Sequence, residues 1–324
     1  KTLTIMKAFK FQPYLKSVLW GGGKIAPFKG IVTEQKNIGE SWEISGVAGH
    51  ESVVAEGDDA GLTLPALIDK YQARLVGEKV WKKFGNQFPL LIKLIDAQGD
   101  LSLQVHPDDE LAGKRHNCAG KTEMWYIVQA EPGAHIFAGL AEQINAGDYE
   151  RKVGDNTIMD VVACHEAAKG DMFFLPAGRI HAIGAGNFLA EIQQTSDITY
   201  RVYDFGRVDA NGKPRELHTE QAKDAINYTV YPEYKGSYDR NAAVADLVKC
   251  EYFDVKRVIV DGEKAIAHSE DSFTVVMNLG AGDAKLRTAA GEIDMPQGCT
   301  ALVAAEDKEF TLVAHGTEFL VATV

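Results

Sequence analysis

The chain has few cysteines, and they are far apart. The four cysteines are Cys118, Cys164, Cys250 and Cys299, and no two of them form a Cys-x-x-Cys pair. Neither a cysteine-ligated zinc motif nor a dense disulfide framework is therefore indicated. We interpret the four thiols as core or incidental residues.

Positive charge and long apolar runs are also scarce. The 34 Lys and Arg residues are outnumbered by 46 Asp and Glu residues, which gives a net charge of −12. Nucleic acids and anionic membranes attract basic surfaces, so neither is an expected partner. No stretch approaches the ~18 apolar residues of a membrane helix, and the start lacks a signal-peptide core. We expect a cytoplasmic protein that binds a small molecule, with basic residues gathered in a cleft if that molecule is an anion.

Short apolar segments separated by turn residues dominate the sequence, which is the pattern of a β-rich protein. The 324 residues, 45 % of them hydrophobic, are enough for a substantial core. Strands are predicted within 88–97, 171–206 and 251–324, and the close spacing in the last segment is typical of a barrel or sandwich. Apolar residues at helical spacing predict helical segments at about 60–86 and 140–168.

Two parts of the sequence resemble each other. A Pro-x-Gly turn beginning at Pro176 precedes His181, and the same turn beginning at Pro296 precedes Ala301. This repeat predicts two related barrels, of which only the first kept polar ligands. The predicted domains are a catalytic domain at 1–228, which includes both helical segments, and a degenerate barrel at 229–324.

A candidate metal site is spread over three strand ends. In the segment LSLQVHPDD, which begins at residue 101, alternation places Ser102, Gln104 and His106 on one face of a strand. Glu123 opens the apolar strand of GKTEMWYIV, and His181 follows the first Pro-x-Gly turn. Taken singly, each is more often a surface or structural residue. Together, an amide, two imidazoles and a carboxylate are suitable ligands for one metal ion.

The last of these segments resembles a known motif. GDMFFLPAGRIH, at 170–181, resembles the second cupin motif, whose final His binds metal, although the final Asn of that motif falls on Ala185. In order along the chain, LSLQVHPDD, GKTEM, LPAGRIHAIGAG and EIQQTSDITYRVYDFGR closely resemble the type I mannose-6-phosphate isomerases in their short bacterial form. The resemblance covers most of residues 10–225.

The resemblance implies a fold, a reaction and a set of site residues. The implied fold is mainly β, with two cupin-type (jelly-roll) β-barrels in tandem and a helical insertion. The implied reaction interconverts mannose 6-phosphate and fructose 6-phosphate through a cis-enediol and depends on one zinc ion per chain. The implied zinc ligands are Gln104, His106, Glu123 and His181. The implied catalytic residues are Arg201, Lys121 and Asp197.

One position departs from the family. Longer members have a histidine just before the active-site lysine, where this chain has Gly120. The resemblance therefore does not imply a base at this position.

Substrate contacts follow from the charge of the substrate. A sugar phosphate is dianionic near neutral pH, so the site needs cationic and hydroxyl groups; Ser102, Lys121 and Arg179 are candidates for these contacts. Arg201 could bind the phosphate or the developing oxyanion. Asp197 or Lys121 is the candidate proton carrier, with Glu191 as a partner.

Two other functions are compatible with the same residues. An iron-dependent cupin oxygenase would use His106, Glu123 and His181 as a two-His-one-carboxylate triad. A sugar-phosphate-binding or regulatory cupin would need no proton carrier. The presence of Gln104 and of Lys121 with Arg201 favours the isomerase. The sequence does not indicate an oligomeric state.

Overall fold

The computed structural model describes residues 6–208, 212–269 and 271–324. Among these residues the first half of the chain alternates strands with short helices. Its elements are β1 (Phe9–Gln12), β2 (Tyr14–Gly22), α1 (Ile25–Phe28), β3 (Ile38–Ser45), β4 (Val53–Val54), α2 (Leu64–Tyr71), α3 (Ala73–Val76), α4 (Glu78–Phe84), β5 (Leu90–Ala97), β6 (Leu103–Val105), α5 (Asp109–His116), β7 (Glu123–Ala130), β8 (His135–Leu140) and α6 (Ala146–Gly154).

Strands predominate in the second half. After a 3₁₀ turn at Ile158–Val161, its elements are β9 (Val162–Glu166), β10 (Met172–Leu175), β11 (His181–Ile183), β12 (Asn187–Gln194), β13 (Tyr200–Tyr203), α7 (Thr219–Ala225), β14 (Lys235–Gly236), β15 (Val244–Lys249), β16 (Asp254–Ala267), β17 (Thr274–Asn278), β18 (Ala284–Thr288), β19 (Gly291–Asp294), β20 (Thr300–Val303) and β21 (Glu309–Thr323). The prediction of a mainly β protein is confirmed.

The strands of the described residues form three antiparallel sheets. Sheet I has the order β14-β10-β7-β12-β5-β2-β3, and sheet II has the order β13-β6-β11-β8-β9. Sheet III follows the order β15-β16-β21-β17-β20-β1-β4, with β18 and β19 attached beside β21. Sheets I and II share a core in which Trp125 and Leu189 of sheet I pack with Ile136 and Ile183 of sheet II.

Strand β6 separates two environments. Leu103 and Val105 are fully buried in an apolar cluster with the side chains of α6 and α7. Because side chains alternate along a strand, Gln104 points the other way, towards sheet I. The polar face predicted for LSLQVHPDD therefore lines the interior between the two sheets.

The first predicted helical segment is confirmed, and the second is partly wrong. Three short helices, α2 to α4, occupy most of 60–86. Within 140–168 the chain forms α6, which Asn145 caps through a capping box, but residues 162–166 form strand β9 instead of a helix. Pairing of β9 with the edge of β8 overrides the helical spacing of its apolar residues.

Strand pairing crosses the predicted domain boundary. β1 pairs with β20, at Phe9 with Leu302, so the N-terminal strand is part of sheet III. The repeated Pro-x-Gly turns do share a conformation, since Gly178 and Gly298 have φ values of +87° and +74°. The strands that follow the turns pair differently, because β11 joins β6 and β8 whereas β20 joins β17 and β1. The division into two tandem barrels stays a prediction.

Among the residues described, no helix is both long and apolar enough to cross a membrane.

Candidate active site

Strand register brings the predicted ligands together. In sheet II, Gln104 lies directly opposite His181 of β11 on one side and Arg201 of β13 on the other. Glu123 is the first residue of β7 in sheet I. His106 follows the end of β6, where the backbone carbonyl of His106 accepts a hydrogen bond from Gly178 N–H. Antiparallel pairing thus makes neighbours of Gln104 and His181, which are 77 positions apart in the sequence.

Three side chains converge on one point. Nε2 of His181 lies 3.2 Å from Oε1 of Glu123, and Nε2 of His106 lies 3.5 Å from Oε2. The ligand atoms of these three residues all lie within 4.8 Å of one another. Nε2 of Gln104 lies 3.4 Å from His181 Nε2, so the amide end of Gln104 reaches the same point. The cluster therefore offers two imidazoles, one carboxylate and one amide, which together are suitable ligands for one metal ion.

Hydrogen bonds on the outer side of each ring orient the two imidazoles. Nδ1 of His106 is 2.9 Å from the carbonyl oxygen of Ile198, and Nδ1 of His181 is 2.7 Å from that of Arg179. A carbonyl oxygen can only accept, so each Nδ1 carries the proton and donates it. Nε2 of each ring is therefore the nitrogen that faces Glu123, which is the orientation that metal-binding histidines require.

Several polar atoms of the cluster have no hydrogen-bond partner among the described residues. Within the described chain, Nε2 of His106 and both oxygens of Glu123 are buried and have no hydrogen-bond partner of good geometry. Unsatisfied buried polar atoms are costly, so a cluster of three such metal-donor atoms is suited to binding a cation. A metal ion would satisfy all three atoms, so the residues present fit such an ion.

Burial and neighbouring charges shift the pKa values of two members of the cluster, His106 and Glu123. Burial, followed by the Lys121 ammonium, holds the pKa of His106 well below its ordinary value. Burial alone would raise the pKa of Glu123, but Lys121 and the two imidazoles together outweigh it and hold that pKa well below the usual range. Nζ of Lys121 lies 3.2 Å from Oε2 of Glu123. At neutral pH these shifts favour a neutral imidazole at His106 and a carboxylate at Glu123.

A cavity of about 450 Å³ opens beside the cluster. Gln104 and Lys121 belong both to its wall and to the cluster, so the two are adjacent. Its charged lining comprises five basic and three acidic residues. These are Lys16, Lys93, Lys121, Arg201 and Arg215, and Glu40, Glu191 and Asp197. A protein of net charge −12 therefore has a predominantly basic cavity, which suits an anionic ligand.

The floor of the cavity contains an ion-pair network that the sequence interpretation missed in part. Nζ of Lys93, on β5, lies 2.9 Å from Oε1 of Glu191 and 3.7 Å from Oε2 of Glu40. Trp42 and Trp125 donate their indole N–H groups to Glu40 and Glu191. Burial raises the pKa of Glu40, but Lys93 and Lys16 outweigh it and lower that pKa to about 2.

One feature of the sequence could have identified Lys93 as a paired, buried residue. It is the single charged residue among the first six of the buried strand that begins at Leu90. A lysine in such a strand is almost never fully buried unless it is paired.

Most of the predicted site residues line this cavity. Ser102, Gln104, Lys121, Glu191, Asp197 and Arg201 all do so. Ser102 and Glu191 are buried, whereas Asp197 is exposed at the rim. The cavity therefore unites six of the residues selected from the sequence.

Arg179 is not part of the cavity wall. Its guanidinium stacks on Tyr231 and Tyr234 and donates to the carbonyl oxygen of Phe174 at 2.7 Å. The guanidinium group therefore lies away from this cavity, and the substrate contact of Arg179 stays a prediction that this placement does not favour. The contribution of this residue to the site is its backbone carbonyl, which orients His181.

Arg215 is a cavity residue that the sequence interpretation missed. It lies outside the predicted strands, and its side chain is placed by an ion pair with Asp204, which also binds Arg207. No described carboxylate lies within ion-pair distance of Arg201, whereas Arg207 and Arg215 share Asp204. Burial, followed by the charge of Arg215, lowers the pKa of Arg201.

Gly120 is required by a close backbone approach. A Cβ atom at this position would lie 2.5 Å from the carbonyl carbon of Asp108 and 2.6 Å from the amide nitrogen of Asp109. Lys121 N–H donates to the carbonyl oxygen of Pro107 at 3.1 Å, which fixes this approach. There is no room for the histidine of longer family members, so a base at position 120 is not part of this site.

Replacing Gly120 by alanine is expected to lower the free energy of unfolding by about 1–3 kcal/mol, because the new methyl group overpacks against backbone that cannot yield. Urea unfolding measures this change. Gly113→Ala is the matched control, since a Cβ there meets nothing within 4 Å and alanine favours the helix. Equal stability of the two variants would show that the backbone at Asp108 gives way.

Comparisons with known proteins agree with this geometry. Residues 8–168 match the family model described as phosphomannose isomerase type I, catalytic domain. Mannose-6-phosphate isomerase ManA of Bacillus subtilis is 33% identical over 298 residues, which cover 88% of this chain and 89% of that protein. A mannose-6-phosphate isomerase of Streptococcus mutans is 37% identical over 227 residues, which are 66% of each protein.

The fold is similar to a solved structure over almost its whole length. The crystal structure of mannose 6-phosphate isomerase from Bacillus subtilis superposes with a TM-score of 0.88 at 29% identity, covering 98% of this chain and 100% of that chain. The prediction of a cupin-type fold is confirmed by this similarity, although the tandem arrangement of two barrels is not. The chain belongs to the type I phosphomannose isomerase family.

Proposed function

We propose that the protein is a zinc-dependent isomerase that interconverts mannose 6-phosphate and fructose 6-phosphate through a cis-enediol. The main support for the proposal is that a metal-binding group and a basic cavity lie side by side. A buried group of unsatisfied metal donors lies beside a basic cavity large enough for a small sugar phosphate. Membership of the phosphomannose isomerase family supports the same reaction.

Gln104, His106, Glu123 and His181 are the proposed metal ligands. Together they carry a single negative charge, so a bound Zn²⁺ keeps a net positive charge and supplies Lewis acidity towards a carbonyl or hydroxyl oxygen. Isomerisation moves a proton and a carbonyl within one molecule and needs no external electron donor or acceptor. A redox-inert ion is therefore sufficient.

Arg201, Lys121 and Ser102 are the proposed contacts to phosphate and to the developing oxyanion. All three line the cavity. Of the two cations, Arg201 has the less neutralised charge, because Lys121 is paired with Glu123. The guanidinium group offers several N–H donors in one plane and cannot act as a base at neutral pH, so its role is electrostatic.

Asp197 is the proposed proton carrier. Of the three carboxylates in the cavity wall, Glu40 and Glu191 are both paired with Lys93. Among the described residues Asp197 has no such cation, so its carboxylate is free to accept a proton. It would remove the proton from C2 of the open-chain aldose and return it to C1. The hydroxyl proton of O2 passes to O1, so that the C1 carbonyl becomes a hydroxyl group as the ketose carbonyl forms at C2.

Lys93 contributes a fixed charge at the floor of the cavity. Burial lowers the pKa of Lys93, but Glu191 and Glu40 outweigh it, and the net effect is a raised pKa. Lys93 therefore stays protonated and holds Glu191 in place for contact with sugar hydroxyl groups.

The two alternative functions predict different results. An iron oxygenase would use the same His–Glu–His group but has no need for a basic cavity. A binding protein without turnover has no need for the unpaired Asp197. The related proteins carry isomerase names, which favour an isomerase over both alternatives.

The proposal is tested by metal analysis combined with a coupled assay. The purified protein is expected to contain about one zinc per chain and to convert mannose 6-phosphate to fructose 6-phosphate. Removal of metal with a chelator is expected to abolish activity, and added Zn²⁺ to restore it. Stoichiometric iron without isomerisation would support the oxygenase, and sugar-phosphate binding without turnover would support the binding protein.

A further inference from the structure

The two aspartates that end LSLQVHPDD are not used by the proposed mechanism. Asp108 caps α5, because its side chain accepts a hydrogen bond from Leu111 N–H at 2.8 Å. Asp109 is the first residue of α5, and its carboxylate bonds in a different direction. Oδ1 of Asp109 accepts from Gly120 N–H at 2.8 Å. The second aspartate therefore contacts the segment that leads to Lys121 and Glu123.

Three consecutive backbone N–H groups of this segment are fixed. Asp109 accepts the first, from Gly120, and the carbonyl oxygen of Pro107 accepts the second, from Lys121, at 3.1 Å. Oε1 of Gln194 accepts the third, from Thr122, at 2.8 Å. Gln194 also donates its Nε2 to Oδ1 of Asp109 at 3.0 Å, which joins the outer two acceptors.

The second carboxylate oxygen of Asp109 accepts a hydrogen bond from a residue in the C-terminal part of the chain. Tyr252, in the turn between β15 and β16 of sheet III, donates its hydroxyl to Oδ2 of Asp109 at 2.9 Å. Burial, together with this bond to Asp109, raises the pKa of Tyr252. Tyr252 therefore stays a hydrogen-bond donor at any pH near neutrality.

We propose that Asp109, Gln194 and Tyr252 form a positioning network that fixes Lys121 and Glu123, and that sheet III acts on the active site through Tyr252. Lys121 and Glu123 are two residues apart, so their side chains share one side of an extended segment. Both are buried and lie 3.2 Å from each other. The placement of both therefore depends on the backbone that Asp109 and Gln194 hold.

The inference rests on the proposed function for its effect on catalysis, but not for its effect on structure. Groups that orient metal ligands from outside typically change metal affinity or activity by about 10- to 100-fold when they are removed. Asp109→Ala is expected to weaken zinc binding about tenfold and to lower kcat by a similar factor. It is also expected to speed amide hydrogen exchange at Gly120, Lys121 and Thr122, a readout that needs neither metal nor turnover.

Asp108→Ala is the matched control for this variant. It removes an aspartate from the adjacent position and the cap of the same helix, which costs about 1 kcal/mol of stability. Its zinc affinity, kcat and exchange at residues 120–122 are expected to match the wild type. Asp109→Asn keeps an oxygen that can accept from Gly120 and is expected to restore much of the lost zinc affinity.

Tyr252→Phe tests the part played by sheet III. It is expected to weaken zinc binding about threefold and to speed exchange at Gly120, because one hydrogen bond to a charged acceptor is lost. Tyr71→Phe removes a similar bond, from Tyr71 to Asp59 at 2.8 Å, and is the control that should leave the site unchanged.

Each outcome decides one question. Unchanged exchange and zinc affinity in a folded Asp109→Ala protein would overturn the network, whatever the wild-type activity. Wild-type behaviour of Tyr252→Phe would overturn the role of sheet III. A wild-type protein without isomerase activity, but with the expected exchange differences, would overturn the proposed function and leave the network standing.

Discussion

Replacing His181 by alanine is expected to abolish metal binding and isomerase activity together. The side chain is buried, its Nε2 faces Glu123 at 3.2 Å, and Gln104 reaches the same nitrogen. Metal stabilisation of developing charge is worth several kcal/mol, and each 1.36 kcal/mol is a factor of ten in rate. We therefore expect kcat/KM to fall at least about a thousandfold, with less than stoichiometric zinc in the purified protein.

His165→Ala is the matched control for this experiment. His165 lies in the same sheet, on β9, and its Nε2 is 3.2 Å from the carbonyl oxygen of Ala138. Its ring packs against Phe173 and Tyr234, outside the metal cluster. This variant is expected to keep zinc and activity. A His181→Ala protein that retained stoichiometric zinc would show that the ion is held elsewhere.

The residues of the site were predictable where strand alternation and turn chemistry decide the geometry. Gln104 points into the interior because Leu103 and Val105 are both needed in the core on the opposite side. Gly178 adopts a φ of +87° that suits glycine, and this turn delivers His181 to the position opposite Gln104. Local rules were sufficient for both residues.

Other features depend on contacts that no short segment contains. The helical spacing before Val162 gives way to a strand because the edge of β8 is available for pairing. Arg179 follows the same turn as His181, yet Tyr231 and Tyr234 from a distant segment hold its guanidinium away from the cavity. Contacts with residues distant in the sequence therefore determine both the strand at β9 and the position of the Arg179 side chain. The local sequence pattern does not identify such contacts.

The charges of the cavity show how a site for an anion exists in an acidic protein. Four of its five basic residues are paired with carboxylates: Lys16 with Glu40, Lys93 with Glu40 and Glu191, Lys121 with Glu123, and Arg215 with Asp204. These pairs hold the cations in place and reduce their attraction for a ligand. The fifth, Arg201, has no carboxylate partner within the described ranges, so it is the strongest attraction for a phosphate or an oxyanion.

Arg201→Ala is therefore expected to keep the metal and lose activity. Arg201 is held by its own backbone N–H, which donates to Nδ1 of His218 at 3.0 Å, and by Nη1, which donates to the carbonyl oxygen of Glu216 at 2.8 Å. Neither bond involves a proposed metal ligand, so zinc content should equal that of the wild type. Loss of a preorganised donor to developing charge typically costs about 10²–10³ in rate. Coupled assays and metal analysis on the same preparation measure both quantities.

Two further variants at arginine positions make the Arg201 experiment decisive. Arg201→Lys keeps the charge but not the planar set of donors, so it is expected to recover only part of the lost kcat/KM. Arg287→Ala removes an exposed arginine of sheet III that is paired with Glu263 and Glu292, and activity should not change. An increase in KM alone would assign Arg201 to substrate binding, and a fall in kcat would assign it to the transition state. Full activity of Arg201→Ala would contradict the proposed role of Arg201 and the inward orientation of its face of β13.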